Sequence, residues 1–508
     1  MSSSPMDDSN VSKGQGAKDH TNTYVKDTSG ERSSRMLRRQ CWSKRKYLTI
    51  AGVLAVLFLI YIGLANDVKP LRLGSKAIDN LAISLNLHKP FYVVIIDAGS
   101  TASRVIAFTF HVSVVNGQLI LDDELFYETK PGLSSYAKNP KDVKQSLDIL
   151  LQKAKGKIPK LEWSRTPLSM RATAGLRLLP GHRAQDILEE CKKVFNNSGF
   201  KVSEDSVAIM EGSDEGIFAW FTANFLLERF PKSGSSAEYA TNTVAALDLG
   251  GGSTQVTYAI TPTMMEKQAE ELAAHEKNLY NINAFDRNIS VFTQSFLGMG
   301  LMAARKEILM HADNYKNDSK KPDFTASSSG LIELRAECIN PIISGVEWNY
   351  GGKNYLVKGP LNGSHKIIKT QNFAGTDEDR PIVRFSTCLD IIKKVVNAAI
   401  PHDLPNLEEH EIYAFSYYFE RATEVGLIDP FAGGVITIES LYKAALETCE
   451  YPNTDQPFMC LDLSFIYTLL HDGFGLDTKT KIFLRKKVNG HEMSWALGAA
   501  FNVLQKES

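Results

Sequence analysis

Two short glycine-bearing segments and one acidic helix start carry the chemistry that this sequence can do. The first is Asp97-Ala98-Gly99-Ser100-Thr101-Ala102-Ser103-Arg104, and the second is Asp248-Leu249-Gly250-Gly251-Gly252-Ser253-Thr254-Gln255. A bound phosphate needs converging backbone N–H groups on residues that let an anion come close, which Gly99 and Gly250, Gly251 and Gly252 allow. Hydroxyls at Ser100, Thr101, Ser253 and Thr254 add donors. One glycine hairpin alone is ordinary turn chemistry, but two, each headed by an aspartate at a strand end, form a pair of phosphate cradles. Asp97 and Asp248 are then expected to face a hydrated divalent cation, Mg²⁺ or Ca²⁺, as hard oxygen acceptors rather than to cap their own turns. Between the two lies Glu211-Gly212-Ser213-Asp214-Glu215-Gly216. Ser213 reads as an N-cap with acids in the first turn. Acids there usually only complement the helix dipole. Glu215 stands out because its helix bridges the two glycine segments.

The elements around these residues fix their placement. Tyr92-Val93-Val94-Ile95-Ile96 is a buried strand by length and β-branching, and Val105 to Phe110 resumes it after the turn, giving a hairpin. The pattern recurs about 150 residues later, with Thr243 to Leu247 leading in and Val256 to Ile260 leading out. A duplicated strand, Asp-x-Gly, strand unit implies two related domains that face one cleft. Helical patterns at Val143 to Ala154 and Gln185 to Asn196, with a strand at Leu168 to Ala172, make the chain α/β. Polar stretches at Thr261 to Arg287 and Asp313 to Ser329 read as excursions.

At 508 residues the chain exceeds one ordinary core, and its 43% hydrophobic and 23% charged content is that of a folded protein. A formal net charge of -1 argues against nucleic acid as a partner, and no obligate protein partner is evident. Residues 1–46 are expected as a disordered cytosolic tail that ends in a basic cluster from Arg35 to Lys46. Residues 47–65 carry no charge and at 1.5 Å per residue span roughly 28 Å, enough to cross a bilayer. The basic cluster before this run outweighs Lys69, Arg72 and Lys76 after it, which predicts a type II anchor with everything beyond about Asn66 in a lumen. The competing reading is a signal peptide cleaved near Gly63-Leu64-Ala65, which would release a soluble form. Residues 66–90 read as a linker, helical over Ala77 to Leu87.

Cysteine usage fits an oxidising compartment. Cys338, Cys388, Cys449 and Cys460 imply two disulfides; the sequence leaves their connectivity open, and nearest-neighbour pairing, Cys338 with Cys388 and Cys449 with Cys460, is the expectation. Cys191 is expected as a buried thiol and Cys41 as an idle one. No zinc pattern occurs. Sequons at Asn196, Asn288, Asn317 and Asn362 agree with export.

Asp97 to Arg104, Arg171 to Arg177, Glu211 to Trp220 and Asp248 to Gln255 resemble, in order, the first four conserved regions of the ectonucleoside triphosphate diphosphohydrolase (apyrase) family. Ser295 to Gly300, Phe415 to Phe419 and Asn489 to Gly498 agree as well, so the likeness spans roughly Phe91 to Val503. Pro131-Gly132-Leu133-Ser134 and the single anchor resemble the Golgi and endoplasmic-reticulum branch, types five and six. Ala102-Ser103 departs from that branch, which has glycine before the hydroxyl residue.

The resemblance implies two actin-like, RNase H-type domains with the active-site cleft between them, residues 91–213 with 484–508 as the first and 214–483 as the second. It implies hydrolysis of nucleoside di- and triphosphates, chiefly UDP and GDP, with Ca²⁺ or Mg²⁺ as cofactor. Glu215 would be the general base; Ser253 and Gln255 would orient the attacking water. Asp97, Asp248 and Thr173 would surround the hydrated metal, and Ser100, Thr101 and Arg104 would face the phosphates. Tyr417, Tyr418 and Phe474 are candidates for contact with the nucleoside. Other actin-like ATPases, such as a sugar kinase or a chaperone, are the rival reading, and a silent nucleotide-binding glycoprotein is a second.

Overall fold

The computed structural model describes residues 46–63, 72–85, 87–230, 235–267, 269–285, 287–311, 314, 330–360, 365–371, 375–400, 404–451 and 454–507. The chain divides into two units, Met1–His88 with Ser113–Gln118, and Lys89–Val112 with Leu119–Ser508. In the first unit, helix α1 (Lys46–Gly63) has the length and composition to cross a membrane, with Lys46 its only charge. The linker helix expected over Ala77 to Leu87 forms as α2 (Arg72–Ser84). The tail expected over 1–46 lies outside the described residues except for Lys46, as do Cys41, Asn317 and Asn362.

The second unit is built on two sheets. The first contains β1 (Phe91–Ala98), β2 (Ser103–Val112), β3 (Leu119–Thr129), β4 (Leu168–Ala172) and β5 (Val207–Ile209), in the order β3-β2-β1-β4-β5. Strands β1, β2 and β3 are antiparallel, while β4 and β5 continue parallel to β1. The β-branched run in β1 is buried on both faces, as a central strand between helix layers must be. Val94, Ile96 and Ala98 pack with Leu147 and Leu150 of α3 (Val143–Lys157) and with Ile187 and Phe195 of α5 (Arg183–Asn196), across the chain from the short α4 (Ala174–Arg177). Val93 and Ile95 face the other way, toward Trp220 and Ala223 of α6 (Gly212–Leu226).

The second sheet contains β6 (Ala245–Leu249), β7 (Ser253–Ala259), β8 (Leu279–Ala284), β9 (Arg287–Leu297), β10 (Ile412–Ser416), β11 (Gly434–Thr437) and β12 (Lys481–Leu484), in the order β11-β12-β10-β6-β7-β9-β8. Leu247 and Leu249 enter the largest core, which continues through Cys338, Cys388, Cys449 and Cys460, whereas Ala246 joins the core that already holds Val93 and Ile95. That shared core is filled by α6 and the C-terminal helix α9 (Trp495–Glu507), with Phe221 and Phe501 in ring contact at 5.1 Å. The two helices approach closely at Gly498: an added Cβ would lie 2.4 Å from the Phe218 carbonyl oxygen.

The repeated strand-turn-strand unit thus heads both sheets, as the sequence predicts. The stretch Thr261 to Arg287 is different. It holds two short helices, Pro262–Lys267 and Ala269–Ala274, and edge strand β8, which pairs with β9. Polar residues at alternate positions of an edge strand face solvent, and this weakened the strand signal. Of Asp313 to Ser329, only Asn314 lies among the described residues. The small sheet of Leu331–Arg335, Val346–Tyr350 and Lys353–Lys358 and the hairpin Lys366–Gln371 with Asp377–Ile382 were not legible in advance.

The disulfides form as expected, Cys338 with Cys388 and Cys449 with Cys460, and Cys191 is a buried free thiol. The first bridge closes a separation of 50 residues. Replacing both of its cysteines by Ser should release about 4 kcal/mol of constraint on the unfolded chain and lower the thermal midpoint, measured by differential scanning calorimetry.

Candidate functional site

Asp97 and Arg104 face each other across the β1–β2 ladder, so Gly99 to Ala102 must turn the chain within four residues. Gly99 is required there, since an added Cβ would lie 2.9 Å from the Ala102 carbonyl oxygen. Two more glycines press on this turn from outside: a Cβ on Gly132 would meet Gly99 O at 2.5 Å, and one on Gly175 would meet Ser100 Cα at 2.6 Å. Both lie in segments that the sequence reading had quoted without assigning them a role.

The second turn is anchored by its carbonyls. Gly250 O accepts from Leu301 N at 2.9 Å, Gly251 O from Met302 N and Ala303 N at 3.0 Å each, and Gly252 O from Gly298 N at 2.8 Å. These donors lead into α7 (Leu301–Met310). With the carbonyls tied back, the N–H groups are left to point elsewhere. Among the described residues, the N–H groups of Gly99, Ser100, Thr101, Gly251 and Gly252 donate to no backbone carbonyl. The turns also meet: a Cβ on Gly251 would sit 2.3 Å from Ser100 Oγ, and one on Gly252 would sit 2.8 Å from Ala174 Cβ. Two sets of unengaged N–H donors in contact form a site that suits a polyphosphate.

Glu215 is in the first turn of α6 and only 6% exposed. The helix starts two residues earlier than an N-cap at Ser213 would place it, with Glu211 at the N-cap and no side-chain cap. Its glycines explain the shift. A Cβ on Gly212 would strike Ser295 Oγ at 2.3 Å, and one on Gly216 would strike Thr257 Oγ1 and Thr293 Oγ1 at 2.5 Å. The bare face of this turn lets α6 settle against β7 and β9 and delivers the carboxylate to them.

There Glu215 Oε2 accepts from Gln255 Nε2 at 3.1 Å, and the same Nε2 donates to Ser253 Oγ at 2.7 Å and Ser295 Oγ at 3.1 Å. Arg177 donates to Glu215 Oε2 at 2.7 Å and lies 3.4 Å from Ser253 Oγ. Arg177 and Ser295 were quoted in the sequence only as parts of longer segments. Nothing in spacing singles them out, because Arg177 reaches Glu215, and Ser295 reaches Gln255, from distant segments.

Three acids share this region. Asp97 Oδ2 pairs with Arg104 at 3.1 Å, whereas its Oδ1 is buried with no hydrogen-bond partner among the described residues. Asp248 Oδ1 accepts from Ser416 Oγ at 2.6 Å. Ser416 ends β10 beside β6 with φ +59°, a strained backbone that a surface serine has no reason to hold. Burial pushes Asp97 upward against the pull of Arg104. Burial and the Asp97 charge push Asp248 up to about 6, although the Ser416 hydrogen bond opposes them. Burial, with Asp248 and Asp97, pushes Glu215 up to about 8 against the opposing Arg177 charge. Carboxyls raised together in this way are short of positive charge.

The structure repositions several expected contacts. Arg104 is committed to Asp97 and to Glu128, the latter at 2.8 Å, because ladder register sets it beside these carboxylates rather than free toward a phosphate. Thr254 is fully buried, and its hydroxyl donates to the Asp248 carbonyl at 2.9 Å, so it braces the turn. Tyr418 and Phe474, each 3% exposed, belong to the largest core; the Phe474 ring meets that of Phe296 in a tilted contact at 5.8 Å. Tyr417 at the start of α8 (Tyr417–Glu424) is half-buried, and burial raises its hydroxyl above the usual range against the opposing influence of Thr101. Thr173 caps α4, and its N–H donates to Ala98 O at 3.2 Å.

Removing Arg177 takes a positive charge from Glu215. The carboxyl of an Arg177→Gln variant should therefore hold its proton to higher pH. If activity needs the carboxylate, the acidic limb of kcat/KM against pH moves upward, which a phosphate-release profile from pH 5 to 9 checks.

The GDA1/CD39 (nucleoside phosphatase) family model matches residues 85–426 and 434–508. The nucleoside diphosphate phosphatase ENTPD5 of Homo sapiens is 37% identical over 418 residues, covering 82% of this chain and 87% of that one. The nucleoside-diphosphatase uda-1 of Caenorhabditis elegans is 36% identical over 428 residues, 81% of each. A nucleoside triphosphate hydrolase structure from Neospora caninum superposes with a TM-score of 0.50 at 14% identity, over 86% of this chain and 97% of that chain, and supports the two-domain actin-like fold. The match over most of the chain excludes the sugar-kinase and chaperone readings. The chain belongs to the GDA1/CD39 (nucleoside phosphatase) family and is a phosphohydrolase.

Proposed function

We propose that the chain hydrolyses the terminal phosphate of nucleoside diphosphates, chiefly UDP and GDP, and of triphosphates in addition, by direct attack of water. The observation that carries this is the contact of the two glycine turns beside Glu215, with Ser253 and Gln255 between base and turn. Relatives whose names state diphosphatase activity support the substrate class. The lobes are residues 91–213 with 484–508, and 214–483.

The residues fit a divalent cation. Asp97 Oδ1 is a buried acceptor without a partner among the described residues, and Asp97 and Asp248 are both raised by burial. Among the described residues no three His, Cys, Asp or Glu side chains group as direct ligands. Asp97, Asp248 and Thr173 would therefore hold Ca²⁺ or Mg²⁺ through water. When bound, the ion supplies charge against the phosphoryl oxygens.

The chain's own groups do the rest. The N–H groups of the two turns and the hydroxyls of Ser100, Thr101 and Ser253 hold the phosphates and meet the charge that develops on them. Gln255 Oε1, buried and without a partner among the described residues, accepts from the attacking water while Ser253 fixes its other side. Glu215 takes the water's proton. Arg177 keeps enough of Glu215 ionised to do so. Tyr417 stands nearest to the nucleoside. Residues 46–63 anchor the chain as a type II membrane protein, with the catalytic part in the Golgi or endoplasmic-reticulum lumen; the two disulfides and the exposed sequon asparagines Asn196 and Asn288 support that placement.

Phosphate release from a panel of nucleoside di- and triphosphates, with Ca²⁺, Mg²⁺ or EDTA, tests this reading. Turnover without any acceptor molecule, abolished by EDTA, is expected. Release that persists in EDTA, or that needs an acceptor, would contradict it.

A further inference from the structure

Helix α2 carries a face that no described residue covers. Ser75, Asp79 and Ala82 are 8%, 1% and 7% exposed, and this side is taken by the loop 113–118: Asp79 accepts from Ser113 Oγ at 2.9 Å and from Val114 N–H at 2.8 Å. Next to it runs an apolar ridge. Ile78, Leu81 and Leu85 are 41%, 58% and 60% exposed, and at helical spacing they fall within roughly 60° of arc. Lys76, Asn80 and Ser84 are exposed on the opposite side. Leu87 and Val114 add further exposed apolar groups at 74% and 50%. Large apolar side chains gathered in one small unit mark an interaction surface.

Chain position indicates what covers it. Helix α1 ends at Gly63 and α2 begins at Arg72, and nine extended residue steps reach roughly 30 Å at most. The start of α2 is thus tethered within that distance of the end of the span. An amphipathic helix held so close to a bilayer has its apolar ridge within reach of the headgroup boundary, where such helices gain by burying it.

We propose that α2 lies along the bilayer surface, on the side to which residues 72–508 are delivered, with Ile78, Leu81 and Leu85 turned into the lipid and the Asp79 side clasped by the loop 113–118. This placement rests on Lys46–Gly63 crossing the membrane.

The test uses the full chain, with Cys41 replaced by Ser, reconstituted into phosphatidylcholine vesicles. Single cysteines at Leu81→Cys, Leu85→Cys, Lys76→Cys and Asn80→Cys carry a polarity-sensitive fluorophore, and Leu57→Cys marks the span; Cys191 is buried and stays unlabelled. Retained phosphate release shows that each labelled variant is folded. With quencher-bearing lipids, labels at Leu81 and Leu85 should be quenched at least twofold more than those at Lys76 and Asn80, and their emission should shift to the blue. Equal quenching at all four positions would overturn the proposal. So would protection of Leu81 and Leu85 that lipid quenchers do not reach and that grows with protein-to-lipid ratio, because a second copy would then cover the ridge. If Leu57 also escapes quenching, the span reading itself fails and the proposal with it; if Leu57 is quenched and Leu81 is not, only the proposal fails.

Discussion

Glu215→Gln should lower kcat by roughly 10²- to 10⁴-fold while nucleotide and cation binding persist, the range expected when a positioned general base is removed. Gln is nearly isosteric, so the contacts to Arg177 and Gln255 keep their geometry, and what is lost is the proton acceptor. Phosphate release against calorimetric binding separates the two effects. Loss of binding together with turnover would make Glu215 a cation or phosphate contact instead of the base. Folding stability should change in the opposite sense. Glu215 has an ordinary carboxyl value of 4.5 when unfolded and is pushed by burial to about 8 when folded. Between those values the folded state binds more protons than the unfolded one, so this residue's contribution to stability falls as pH rises through the window. The Gln variant is free of that loss. Its thermal midpoint relative to the unaltered chain should therefore climb from pH 5 to pH 8.

Gly300→Ala should abolish most activity without touching any reacting group. An added Cβ would lie 2.3 Å from Ser253 N, 2.5 Å from Gly252 N and 2.6 Å from Gly251 C, all backbone atoms of the second glycine turn. Backbone cannot swing aside as a side-chain tip does, so the turn has to shift as a body. The Gly250 and Gly251 carbonyls are tied to the start of α7 immediately beyond Gly300, and the Gly252 carbonyl to Gly298 just before it, so the displacement carries into both sides. A misplacement near 1 Å in a site of this kind reduces rate on the order of 10²-fold. Phosphate release and nucleotide affinity should fall together, which distinguishes this variant from Glu215→Gln. Wild-type turnover in Gly300→Ala would show that the second turn does not hold the phosphate.

The parts of this fold that were legible are those in which a local pattern carries its own reason. The run Tyr92 to Ile96 is apolar at every position because β1 is covered on both faces, and Gly99 and Gly250 to Gly252 sit where a strand must reverse. Nearest-neighbour disulfide pairing held because each pair is brought together within the largest core. Long-range convergence was not legible. Arg177, Ser295 and Ser416 gain their roles only through the meeting of α4, β9 and β10 at one point, and neither spacing nor composition marks them. The N-cap expectation at Ser213 failed for a related reason. Packing of Gly212 against Ser295 and Arg177 decides where α6 starts, which overrides the local preference of serine. Tyr418 and Phe474 show the limit for aromatic residues, whose apolar bulk serves a core as readily as a nucleoside. Strand β8 was hidden because an edge strand with one solvated face loses the continuous apolar run that revealed β1.

The central claim is that both glycine turns hold one polyphosphate within reach of Glu215. A crystal structure of the Glu215→Gln variant with a nucleoside diphosphate and Ca²⁺ tests it most directly. The terminal phosphate is expected to be bonded at once by N–H groups of Gly99 to Thr101 and of Gly251 and Gly252, Gly250 N–H being taken by Ser253 O at 3.0 Å, with a water between it, Ser253 and Gln255. A terminal phosphate held by one turn alone, or lying away from residue 215, would contradict it.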